Sequence, residues 1–130
     1  MKKTLPFLTA VLSFVLGYFW YSPYFLGDIW LSYRDIKPTD NDMLIASFIL
    51  MNIMAYAMQW LIHKAKVKKS YFAGFQFGLM IAVCFVCTCL GIIYVYSGHP
   101  NFINMWAIDA GYQTTFITLM GTIIAAKNKA

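Results

Sequence analysis

The chain has 130 residues, of which 61% are hydrophobic, 18% aromatic and only 12% charged, with a formal net charge of +5. A soluble domain is about half apolar and about a quarter charged, and one domain of this length cannot hide so much apolar surface without leaving large exposed patches. The composition also excludes a disordered chain, a disulfide scaffold and a conventional nucleic-acid-binding domain, because charge is sparse and the three cysteines fall in one apolar run.

The fold class expected is all-α: a four-helix transmembrane bundle forming a single integral membrane domain over residues 1–130. A hydrocarbon core takes about 20 residues of helix to cross, and four stretches meet that length, at about 5–24, 43–62, 71–96 and 103–126. In the first, Pro6 occupies a tolerated first-turn position and Pro23 stands where a helix can end. Lys2 and Lys3 before an apolar run imitate a secretory signal, but no Ala-x-Ala-like site follows, so the segment reads as a retained helix. Between the first and second runs, Phe25, Leu26, Ile29, Trp30 and Tyr33 recur at helical spacing in an 18-residue loop, 25–42. That loop fits either an interfacial anchor or a lid folded back over the bundle. The second run follows Thr39, Asp40, Asn41 and Asp42, four helix-capping side chains.

Basic residues in short loops favour the cytoplasmic face. Four crossings put Lys2, Lys3, Lys64, Lys66, Lys68, Lys69, Lys127 and Lys129 on one face, leaving only Arg34 and Lys37 on the other. Both termini are therefore expected in the cytoplasm, and the net charge reads as an insertion signal and an attraction for anionic lipid. Trp20, Tyr21, Tyr24, Tyr94, Tyr96 and Trp106 fall at the outer ends of the helices and Trp60, Tyr71 and Phe72 at the inner ends, as interfacial aromatic belts do.

The run Gly17-Tyr18-Phe19-Trp20-Tyr21-Ser22-Pro23, followed by Phe25, Gly27 and Trp30, resembles the first-helix signature of a bacterial membrane family, the domain-of-unknown-function 1761 family. The resemblance extends to four helices and to Asp109-Ala110-Gly111-Tyr112 in the last of them, with Leu26 as an extra residue between Phe25 and Gly27. It implies a multi-pass protein of the bacterial inner membrane and carries no established activity.

Asp109 is the strongest chemical signal. It lies about 9 Å below the outer end of the fourth segment at ~1.5 Å per residue, and a carboxyl within a span is costly enough to suggest a role as a proton-linked or cation-attracting group. The alternative is a structural carboxylate that reaches water or accepts hydrogen bonds from Tyr and Trp. Trp106, Tyr112, Gln113 and Phe116 share its helix face, while Ala107, Gly111, Thr118 and Ala125 form a small-residue stripe opposite. On the second segment Asn52, Tyr56, Gln59 and His63 share a face. Asn52, at a depth of about 13 Å, and Gln113, at about 15 Å, are expected to meet. Asp109, Gln113, Asn52, Tyr56 and Gln59 then read either as a polar track through the bundle or as interhelical hydrogen-bond glue.

Cys84 and Cys87 form a Cys-x-x-Cys pair at mid-membrane, where cysteine behaves as a small apolar residue and the reactive thiolate is disfavoured. His63 and His99 belong to opposite faces, and the chain has no Glu, so neither a metal site nor a cofactor is expected. Gly74 and Gly78, extended by Ala82, permit close backbone approach within the chain or to a second copy. The leading expectation is a non-enzymatic membrane protein that binds or moves a small molecule, lipid or proton in a pocket around Asp109. Gln113, Asn52, Tyr56 and Gln59 would supply hydrogen bonds, and Trp20, Tyr21, Trp106 and Tyr112 aromatic walls. Its partners would be the lipid bilayer, a small-molecule ligand and a homo-oligomer, with no nucleic acid; the alternative is an accessory subunit of a larger membrane complex.

Overall fold

The computed structural model describes residues 3–34 and 41–127. Among these residues the chain forms five helices and no strand: α1 (Thr4–Trp20), α2 (Gly27–Arg34), α3 (Asn41–Lys64), α4 (Tyr71–Tyr96) and α5 (Phe102–Lys127). Lys2, Lys37, Thr39, Asp40 and Lys129 lie outside the described residues, as do the side chains of Arg34, Asn41 and Asp42. By length and composition, α3 over Leu44–Lys64 and α4 over Tyr71–Tyr96 are apolar and long enough to cross a membrane. The first helix is apolar but has 17 residues. The last has 26 and carries Asp109, Gln113 and several threonines.

The first helix stops four residues short of the expected end because its C-terminus winds tight and then reverses. The N–H groups of Tyr21 and Ser22 donate to Gly17 O (3.0 Å) and Phe19 O (3.1 Å), and those of Leu26 and Gly27 fold back onto Trp20 O (3.2 Å) and Ser22 O (2.9 Å). Gly27 is required here, since a Cβ would stand 2.3 Å from the Tyr21 carbonyl oxygen. The amphipathic segment after this reversal is α2, which lies back against α5. The fourth helix starts at Ser70, whose side chain accepts the Ala73 N–H at 3.0 Å. It ends before Gly98, whose positive φ of 66° turns the chain into α5.

The final helix is the spine of the fold. It packs against α1, α3 and α4 along its length and against α2 at its start, whereas α3 and α4 do not pack along each other. Its side chains Phe116, Ile117, Met120 and Ile124 are almost wholly buried, with Ala10 of α1 and Ala55, Met58 and Ile62 of α3 around them. The contact with α4 is backbone against backbone. A Cβ on Gly74 would lie 2.4 Å from Gly121 O, and one on Gly78 2.9 Å from Thr118 Cα. The small stripe Gly74, Gly78 and Ala82 is thus filled inside the chain.

Along α4 the buried positions are Gly74, Gly78, Ala82, Cys87 and Tyr94. The step of five between Ala82 and Cys87 coincides with a π turn over Ala82–Cys87. Trp106 pins that turn to α5, its indole N–H donating to Cys87 O at 2.8 Å.

The outward faces of α1, α3 and α4 are apolar, with Leu8, Val15, Ile53, Phe72 and Phe85 all more than half exposed. Charge is segregated by end. The six described lysines, Lys3, Lys64, Lys66, Lys68, Lys69 and Lys127, sit at or beside the start of α1, the α3–α4 turn and the end of α5. Tyr56 of α3 donates to Lys3 O (2.9 Å), and Lys127 Nζ stands 5.7 Å from the Tyr71 ring, which brings these segments together at one end. Asp28 and Asp109 belong to the opposite, α2-bearing end.

Candidate functional site

Asp109 is buried, 8% exposed, and is the point where four helices meet. Its Oδ1 accepts the Tyr21 hydroxyl from the end of α1 (2.6 Å) and the Trp30 indole N–H from α2 (2.8 Å). Its Oδ2 accepts the Tyr94 hydroxyl from α4. Each donor comes from an aromatic side chain that can bury its ring while offering one polar atom, so the carboxylate is satisfied without an aqueous shell. Charged acceptors make the stronger hydrogen bonds, and here they fasten α1, α2 and α4 to α5.

Tyr112, one turn further along α5, is held separately. Its hydroxyl donates to Ser13 O at 2.9 Å, and a Cβ on Gly17 would stand 2.5 Å from that hydroxyl, so Gly17 makes the room for it. The Tyr112 ring lies 5.4 Å from Tyr21, 6.2 Å from Trp20 and 4.8 Å from Phe116, with Trp30 a further 5.1 Å from Tyr21. Trp20 is wedged against Phe25 and Gly111, and its indole nitrogen is buried with no hydrogen-bond partner among the described residues.

Beside this cluster is a cavity of about 850 Å³. Asp109, Tyr112 and Gln113 form part of its wall, Tyr21 and Trp30 stand at the α2 end, Ser47 and Met51 come from α3, and Leu90 and Ile93 from α4. Gln113 contributes a buried Oε1 that meets no donor among the described residues. Buried polar atoms are overwhelmingly paired, and the side chain that carries this one is part of the cavity wall.

A family model described as a protein of unknown function (DUF1761) matches residues 6–125. The chain belongs to this family. No curated protein and no solved structure matches it.

In this DUF1761 chain the sequence-derived candidates separate into three groups. Asp109, Gln113, Tyr21 and Tyr112 converge on the cavity, with Trp20 packed behind them. Trp106 goes elsewhere, against Gly91 and the π turn, although it is three residues from Asp109. Asn52, Tyr56 and Gln59 do not line the cavity. The Asn52 amide donates to Phe48 O of its own helix (2.9 Å), Tyr56 is exposed at the lysine end, and Gln59 is buried at 4% exposure beside Met58 and Ile62. Beyond Gln113, α5 presents Phe116, Ile117 and Met120, so the polar residues do not make a column.

Two residues of the site, Trp30 and Tyr94, were not among the candidates. The readable signal was depth: both belong to segment ends that four crossings place level with Asp109, and both carry one donor on an apolar ring. Of the cysteines, Cys87 is buried with Sγ 3.2 Å from Thr114 Oγ1, while Cys84 and Cys89 face outward. His99 accepts the Asn101 N–H on Nδ1 (3.1 Å), which makes it a turn residue at the start of α5.

Proposed function

We propose that the chain crosses the bacterial inner membrane four times with both termini in the cytoplasm, and binds a small, largely apolar molecule in the cavity beside Asp109. Apolar outward faces on α1, α3 and α4 and the gathering of lysines at one end support the topology. The shorter α1, at about 25 Å for ~1.5 Å per residue, is extended by the aromatic turn Tyr21–Tyr24 at the interface.

The observation that carries the binding reading is an 850 Å³ cavity walled in part by Gln113, whose Oε1 is buried without a donor among the described residues. A ligand with an apolar body and one N–H or O–H donor satisfies that oxygen once the Gln113 side chain turns into the cavity. Because α3 and α4 both rim the cavity without packing along each other, the ligand reaches it sideways from the lipid. Three donors already hold Asp109, which favours a fixed wall over a carboxylate that shuttles protons. The accessory-subunit alternative draws no support from the stripe of Gly74 and Gly78, which is covered by α5 of the same chain.

The test is saturable binding of N-phenyl-1-naphthylamine, a neutral apolar fluorophore with one N–H, read by energy transfer from tryptophan in lipid nanodiscs. One site per chain is expected, weakened about tenfold in Gln113→Leu by loss of one buried hydrogen bond and absent in Ser47→Phe. Transfer that rises without saturation, unchanged in both variants, would count against a site.

A further inference from the structure

A second concavity lies at the opposite end of the molecule, unconnected with Asp109. It is a groove of about 380 Å³ between α1 and α5, walled by Leu5, Leu8 and Leu12 of the first helix and Ile123 of the last, with Thr4 and Lys127 at its end. Leu8 and Leu12 are 59% and 44% exposed, so the groove is open along its side. Thr9 also borders it, but its hydroxyl donates to Pro6 O at 2.8 Å and so is not offered to a ligand. The lining is therefore apolar along its length and polar only at one end. The groove ends on the lysine face, where no acidic side chain lies among the described residues. The first turn of α1 adds N–H groups at this point without a side-chain cap.

An apolar slot bounded at one end by Lys127, whose ammonium lies 5.7 Å from the Tyr71 ring, by Thr4 and by uncapped amide donors matches one kind of molecule: an acyl chain whose head carries a phosphate. From this juxtaposition we infer that the α1–α5 groove is a binding site for one anionic phospholipid of the cytoplasmic leaflet, its acyl chain against Leu8, Leu12 and Ile123 and its phosphate on Lys127 and Thr4. Charge complementarity selects the lipid. Six described lysines make this end positive, and basic pockets between transmembrane helices on the cytoplasmic side select anionic headgroups. Lys127 is distinguished from the others by lining the groove itself. The inference rests on the four-span reading and is independent of the ligand in the Asp109 cavity.

The experiment is native mass spectrometry of the full chain released from detergent with dioleoyl phosphatidylglycerol or dioleoyl phosphatidylcholine, lipids that share tails and differ in head charge. One retained phosphatidylglycerol per chain is expected, favoured about fivefold over phosphatidylcholine. Lys127→Gln should bring that ratio close to one. Ile123→Trp, which fills the slot, should reduce retention of both lipids. The triple variant Lys66→Gln, Lys68→Gln, Lys69→Gln should leave the preference within about twofold. Equal retention of the two lipids by the unaltered chain, or a preference that survives Lys127→Gln and disappears in the triple variant, overturns the assignment and leaves only a diffuse positive face. Flotation with vesicles is the parallel control. A chain that does not float with lipid refutes the four-span reading and the groove with it; one that floats without headgroup preference refutes the groove alone.

Discussion

The two ends of α5 are held in opposite ways. Toward the lysine end, Gly121 meets Gly74 and Gly78 with backbone against backbone, and the one side-chain atom beside the contact is the Ala125 methyl. Toward the α2 end, long aromatic side chains from three other segments reach across to Asp109 of the same helix. Glycine contact gives dispersion and close approach but leaves no room. Hydrogen bonds made through Tyr and Trp rings hold helices apart at a fixed spacing and enclose volume. One helix therefore serves as a packing spine in one half and as the wall of a cavity in the other, and the composition of its neighbours decides which.

If the carboxylate is the fastening of the open end, Asp109→Leu should give the largest effect. It strands three aromatic donors and is expected to cost about 4 kcal/mol, measured by unfolding in mixed micelles; a cost below ~1 kcal/mol would remove Asp109 from this role. Asp109→Asn should cost less, because the amide oxygen still accepts.

Gly74→Ala sharpens the other side of the comparison. Its new Cβ meets a backbone oxygen, which cannot rotate away, so a loss of about 2 kcal/mol is expected, with N-phenyl-1-naphthylamine binding unchanged. Smallest is Trp30→Phe, which removes one of the donors and keeps the ring. It should cost about 1 kcal/mol and raise hydrogen exchange in α2 about fivefold, while the amides of Gly74 and Gly78 exchange as before.

Much of the helical layout was legible because apolar runs of about 20 residues have few alternatives, and Asp109 was legible as the only charge inside one of them. Its donors were harder to read. Trp30 and Tyr94 are 79 and 15 residues away in sequence, and an aromatic residue at the end of an apolar run has an ordinary interfacial explanation. Asn52 and Gln113 were placed together from depth alone, but depth does not fix rotation, and Asn52 found an acceptor four residues back on its own helix. Trp106 shows the same problem in reverse: it shares a face with Asp109 on the helical wheel, yet its long side chain reaches the Cys87 carbonyl instead. The early end of α1 follows from turn hydrogen bonds around Pro23 that hydropathy does not register.

The π turn of α4 sets a phase. At about 100° per residue, an uninterrupted α-helix would carry Tyr94 about 160° around the axis from Gly78, on the far side from α5. A π turn absorbs about one residue, which brings the angle to about 60° and returns Tyr94 to the side of Gly78. The glycine seam and the Tyr94–Asp109 bond are thus compatible only because Ala82–Cys87 carries one residue more than an α-helical path needs. In the language of gears, α4 slips by one tooth at its midpoint so that both of its halves mesh with the same partner.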